Sequence, residues 1–199
     1  ILLEGKEYPF KDISFPTIDP QNPFSLTEDE EDLICKLRHS FVNSEKLRKH
    51  IRCLYAHGGI YLVRNSNLLF HASIPLNADR TFKEVEIRGQ KYKGKSLLDK
   101  VDQLIRTAYF DDEDSVDRNY AWYLWCGEDS PSFDKDKMTT FERYFIADKS
   151  ISKEKKGYYY ELRNEESVCD MILKEFGIND KHSHIINGHI PVKTIKGEK

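Results

Sequence analysis

Apolar residues along this chain alternate between helical spacing and short strand-like runs. Leu33, Ile34, Leu37 and Phe41 fall at i, i+1, i+4 and i+8, which predicts an amphipathic helix. It is entered at "SLTEDEEDL", where Thr27 and Glu30 have capping-box spacing and the acidic first turn suits the positive helix end. A second helix is expected from about Ser44, with Leu47, Ile51, Leu54 and Tyr55 on one face and a stop at Gly58-Gly59. "IYLVRNSNLLFHASI" predicts two strands around a tight Asn65-Ser66 turn, apolar at nearly every position and so buried on both faces. "TFKEVEIRG" predicts a shorter, more exposed strand. "SLLDKVDQLIRTAYF" is the clearest helical pattern, with Leu97, Leu98, Val101, Leu104, Ile105 and Ala108 on one side. "DDEDSVD" is then expected as a solvated acidic loop and "YAWYLWCG" as a buried aromatic strand before the polar loop "EDSPSFDKDK". "SVCDMILKEFG" predicts a helix closed by Gly177, and "SHIINGHIPV" a last apolar strand.

Four prolines between residues 7 and 26 (Pro9, Pro16, Pro20 and Pro23) are too many for a regular element. The expected organisation is an extended connector over 1–26, a helical pair over 27–58, and one larger region over 59–199. A length of 199 residues with 39% apolar and 33% charged side chains supports a real core under a heavily charged surface. The net charge of −3 argues against a nucleic-acid binder, which needs a basic surface to displace counterions. No apolar run approaches the roughly 20 residues of a membrane span, and "ILLEGKEYPF" lacks the form of a secretory signal. With no initiator Met, the chain reads as a fragment of a longer polypeptide. Cys35, Cys53, Cys126 and Cys169 show no C-x-x-C or zinc-finger spacing, so reduced thiols in a cytoplasmic protein are expected.

Two stretches share one device. "NLLFHASIPLN" ends an apolar run on His71, and "SHIINGHIPV" ends another on Gly188-His189, each with a proline close behind. Strand ends fix the loops that follow them, and neutral imidazole is the commonest metal ligand. Spacing alone nevertheless favours two buried, hydrogen-bonded histidines, because no H-x-H or H-E-x-x-H pattern forces a metal. His182 and His184 flank the last strand and are expected near the site or exposed; His39, His50 and His57 are expected at the surface.

"ILLEGKEYPFKD", "FPTIDPQNP", "NSEKLRKHIR", "NLLFHASIPLN", "GKSLLDKVDQLIRTAYF", "WYLWCGEDSPSF", "KDKMTTFERYF" and "SHIINGHIPVK" together resemble the class III fructose-1,6-bisphosphatases of bacteria, over essentially the whole chain. The resemblance implies an α/β fold, part of a calcineurin-like metallophosphoesterase β-sandwich flanked by helices, with a two-metal site, typically manganese, at the strand ends. It implies hydrolysis of fructose 1,6-bisphosphate to fructose 6-phosphate in cytoplasmic gluconeogenesis. His71 and His189 match metal histidines that usually ligate the same ion, so they should converge on one point.

The early superfamily motifs that would supply the other ligands and the general acid are missing: G-D-x-x-D-R and G-N-H-[DE] do not occur, D-x-H is matched only late, at Asp180-Lys181-His182, and Asp79-Arg80 and Asp117-Arg118 lack the preceding Gly-Asp. Ala72 stands where relatives often carry glycine after the histidine, and Pro191 replaces the second histidine of G-H-x-H. The metal site is therefore expected to be completed by the rest of the parent polypeptide, and this chain alone to be inactive. Arg143, with Lys137 behind it, is expected to clamp substrate phosphate, since guanidinium grips phosphate bidentately; an ordinary surface ion pair with Glu142 is the equal alternative for Arg143. Rival readings are a non-catalytic assembly segment and a protein serine/threonine phosphatase. A homo-oligomer is allowed, with no nucleic-acid or membrane partner.

Overall fold

The computed structural model describes residues 1–3, 5–110 and 115–190. In chain order its elements are β1 (Leu2–Leu3), β2 (Lys6–Glu7), α1 (Glu28–Val42), α2 (Glu45–His57), β3 (Tyr61–Arg64), β4 (Asn67–Phe70), β5 (Val85–Ile87) and β6 (Gln90–Tyr92). They continue with α3 (Gly94–Phe110), α4 (Ser115–Cys126), α5 (Thr140–Phe145), α6 (Tyr159–Leu162), α7 (Glu166–Glu175) and β7 (Ile185–Asn187). The result is a mixed α/β architecture of helices and small sheets. It divides into two compact units: Ile1–His57 with Thr139–Lys153, and the remainder of the described chain.

In the first unit, Thr27 caps α1 through the expected reciprocal box: its hydroxyl accepts from the Glu30 N–H, and the Glu30 carboxylate accepts from the Thr27 N–H at 2.8 Å. Two of the orphan donors at the helix start are satisfied this way. The apolar stripe of α1 stays at least half exposed within the described structure, and no residue of α1 or α2 is buried. Apolar packing gathers instead around Phe10, Phe15, Phe141 and Phe145, whose rings meet edge-on or tilted. Phe10 also bridges to Ile146 across 136 residues of sequence.

The second unit is built on a three-stranded sheet in the order β3-β4-β7. β3 and β4 form the expected hairpin: Asn65 and Ser66 have φ of 49° and 59°, the paired left-handed conformation that suits a two-residue turn to the twist of its strands. β4 carries the core on alternate positions, with Leu68 and Phe70 buried. β3 is more exposed than expected. Leu62 and Val63, which point to opposite faces of β3 at the sheet edge, are 56% and 41% exposed.

α3 and α7 supply the other wall. Leu98, Ile172, Leu173 and Phe176 close over Leu68, Phe70 and Ile74, with Tyr159 and Leu162 of α6 beside them. A second cluster joins Leu97, Val101 and Leu104 of α3 to Ile87, with Tyr120 and Leu124 of α4 packed against it. Gly177 at φ 75° ends α7 as predicted.

"YAWYLWCG" is not a strand. It is the body of α4, with Tyr120 and Leu124, four apart, turned to the core and Trp122 and Trp125 more than 60% exposed. The run is short enough that dense aromatic content, a strand signature, masked its helical period. Of the expected acidic loop "DDEDSVD", residues 111–114 lie outside the described residues and the remainder begins α4. No helix among the described residues is long and apolar enough to cross a membrane.

Candidate active site

β4 and β7 run parallel, with Leu68, Leu69 and Phe70 opposite Ile185, Ile186 and Asn187. Parallel neighbours leave a sheet at the same end, so the residues after Phe70 and Asn187 emerge side by side. The two exits are tied together: the Gly188 N–H donates to the His71 carbonyl at 2.8 Å, and Asn187 Nδ2 donates to the Ala72 carbonyl at 2.9 Å. His189 then takes φ of 63°, and the Ile190 N–H donates back to the Gly188 carbonyl at 2.7 Å. A non-glycine residue in this region costs on the order of 1 kcal/mol and persists where the surroundings hold it.

That reversal turns His189 toward His71. His71 Nε2 lies 3.1 Å from His189 Nδ1, with the rings nearly perpendicular. Two imidazole nitrogens each about 2.1 Å from one ion stand roughly 3.0 Å apart at a right angle and 3.4 Å apart at a tetrahedral one. The observed separation falls within that interval. Burial holds His189 below the ordinary imidazole pKa, and the charges of His71 and Lys135 act in the same direction. It is therefore disposed to the neutral form a metal requires. The pair fits as part of a metal's ligand set. Among the described residues, no group of three or more His, Cys, Asp or Glu side chains could hold an ion by itself.

Lys135, two residues before Lys137, is a cation whose charge acts on His189. Its ammonium is bridged to Glu154 at 2.9 Å, with both side chains mostly buried. The loop after α4 carries it there. Ser130 Oγ donates to the Leu124 carbonyl at 2.6 Å, and the Ser73 N–H donates to the Pro131 carbonyl at 3.1 Å, so the loop is stitched to the chain just past His71. Lys137 is half-buried in the same unit. Arg143 lies on α5 in the first unit, where its Nε donates to Thr139 Oγ1 at 3.0 Å and its carbonyl accepts from Lys11 Nζ. Asp79-Arg80 has local employment: Asp79 accepts from the Thr81 N–H and hydroxyl, and Arg80 grips Glu165 through two nitrogens. His182 and His184 are exposed, as are His39, His50 and His57. All four cysteines are free thiols.

The firmicute fructose-1,6-bisphosphatase family model matches residues 1–199. The chain belongs to that family. It is similar to proteins named fructose-1,6-bisphosphatase class 3 from Bacteroides fragilis, at 66% identity over 202 residues, and from Bacteroides thetaiotaomicron, at 63% over 202 residues. The corresponding Clostridium beijerinckii protein, named fructose-1,6-bisphosphatase class 3 1, is 55% identical over 201 residues. Each alignment covers 100% of this chain and 30% of the relative. The chain thus spans about a third of the length of the curated family members it matches. No solved structure matches it significantly.

Proposed function

We propose that this chain is the later part of the catalytic domain of a metal-dependent fructose-1,6-bisphosphatase. It would furnish half of a calcineurin-like sandwich and act in the cytoplasm once joined to the rest of its polypeptide. The observation that carries the reading is the 3.1 Å approach of His71 Nε2 and His189 Nδ1 at the shared end of two parallel strands. Family membership makes a sugar bisphosphate the substrate to test first.

His71 and His189 would hold one divalent ion, manganese being the expected one, and the remaining ligands would come from elsewhere in the full-length protein. When bound, such a centre supplies charge neutralisation at the phosphoryl oxygens and a water acidic enough to ionise near neutral pH. The chain's own residues do the rest. The hydrogen bonds from Gly188 and Asn187 hold both strand exits in register, so the imidazoles stay aimed without reorganising. Burial favours neutral His189, the charges of His71 and Lys135 act the same way, and Lys135 would add positive charge near the phosphoryl group. Arg143 and Lys137 are proposed as further phosphate contacts.

The test is phosphate release by the full-length polypeptide carrying this chain, with and without manganese, from fructose 1,6-bisphosphate and from phosphopeptides. Turnover of the sugar bisphosphate alone, dependent on metal, is expected. Preference for phosphopeptides would make the protein a serine/threonine phosphatase, and no turnover of either would leave an assembly segment. The 199-residue chain alone should neither retain manganese nor release phosphate. In the active protein, Lys135→Ala and Arg143→Ala should each lower kcat/KM by roughly 2–4 kcal/mol equivalent, as loss of a transition-state charge partner does. Manganese content should be unchanged; loss of metal in either variant would assign that residue to the site's architecture instead.

A further inference from the structure

The chemistry above leaves Asp134 unused. It is 2% exposed, and its Oδ2 has no hydrogen-bond partner. Tyr160 Oη and Ser73 Oγ are likewise buried without a partner. These three atoms belong to one place. Ser73 Oγ lies beside the Asp134 carboxyl, close enough to stabilise its anion though outside hydrogen-bond geometry, and the Asp134 charge acts on the Tyr160 phenol. Buried polar groups are nearly always paired, so an unpaired carboxyl oxygen with two unpaired hydroxyls near it calls for an occupant.

The room for one exists. Asp134 and Tyr160 line a cleft of about 660 Å³ together with Lys83, Lys135, Gly157 and Arg163. Gly157 covers the carboxyl so closely that a Cβ there would overlap it. Asp134 is itself held at φ of 46°, in a conformation that non-glycine residues seldom adopt.

The donor and acceptor types select the ligand. A hydroxyl group can donate to Asp134 and accept from Tyr160, which is how a carboxylate and a phenol are both satisfied. A phosphate placed at Asp134 would meet a like charge. Six acidic side chains against five basic ones line the whole cleft, so its charges nearly balance. Lys83 is committed to Asp129 and Lys135 to Glu154, whereas Arg163 and Lys156 flank the Tyr160 ring at 5.7 and 5.8 Å. That arrangement suits a polyhydroxylated body carrying an anionic end.

Asp134 and the histidine pair share neighbours. Ser73 is two residues from His71, so their Cα atoms are at most about 7 Å apart. Lys135 both lines the cleft and acts on His189. We propose that Asp134 and Tyr160 form a hydroxyl-binding subsite for the sugar of the substrate. This rests on the function proposed above.

The experiment compares Asp134→Ala, Asp134→Asn and Tyr160→Phe with wild type in the full-length polypeptide, using fructose 1,6-bisphosphate and p-nitrophenyl phosphate, which has no hydroxyls. Loss of one substrate hydrogen bond corresponds to about tenfold in kcat/KM. Asp134→Ala and Tyr160→Phe should each lower kcat/KM for the sugar bisphosphate about tenfold more than for the aryl phosphate. Asp134→Asn, which keeps an acceptor, should recover part of the difference. Equal losses on both substrates, or none on either, would overturn the subsite while wild-type turnover of fructose 1,6-bisphosphate upheld the function. Wild-type protein that leaves fructose 1,6-bisphosphate intact would overturn the function, and this inference with it.

Discussion

His71→Ala and His189→Ala are each expected to lower kcat for fructose 1,6-bisphosphate by about a hundredfold or more in the full-length enzyme. Under the function proposed above, each substitution would remove a ligand from an ion whose charge stabilises the transition state. Because the two nitrogens lie 3.1 Å apart, they are proposed to share one ion, so both variants should lose the same equivalent of manganese and keep the other. The double variant should be little worse than either single one, since groups acting as a unit are not additive. Metal stoichiometry and steady-state kinetics on the three proteins decide the matter. Full occupancy with near-normal turnover in either single variant would leave that histidine as a hydrogen-bonded side chain and nothing more.

Where signals were local, the sequence was easy to read. The Asn65-Ser66 turn, the capping box at Thr27, the stripe from Leu97 to Ala108 and the stop at Gly177 each lie within one element, and each took its expected form. What escaped was information held between distant segments. Trp122 and Trp125 look like core residues in a short window; only the contacts of Tyr120 and Leu124 with Ile87 and α3 reveal which face of α4 is inward. The parallel pairing of Leu68–Phe70 with Ile185–Asn187 joins residues 117 apart, and no periodicity encodes it. The two strand-end histidines were visible as a repeated device, but their approach depends on that pairing and on the left-handed turn at His189. Lys135 and Asp134 were passed over for the same reason. Their surroundings are made by Ser73 and by residues 154–160, and nothing in "FDKDKM" distinguishes one lysine or aspartate from the next.

Asp134 should also leave a signature in folding that needs no substrate. Burial, reinforced by the charge of Asp129, raises its pKa from 3.8 to about 6, with Ser73 and Lys83 pulling the other way. Below about pH 4 the carboxyl is protonated in both folded and unfolded chains, and it contributes nothing to the pH dependence. Between about pH 4 and 6 the unfolded chain releases the proton while the folded one keeps it, so stability falls as pH rises. Above the folded pKa the penalty is complete, on the order of 3 kcal/mol. Asn at this position is almost isosteric and does not titrate. The stability of Asp134→Asn relative to wild type should therefore climb by about 2 kcal/mol between pH 4 and pH 7, whatever offset the amide introduces at the acid end. Urea unfolding followed at several pH values reads this directly. A flat difference across that range would mean that the carboxyl is as well solvated when folded as when unfolded. An opposite slope would mean that the folded protein stabilises the anion with a partner that the buried, unpaired Oδ2 does not have.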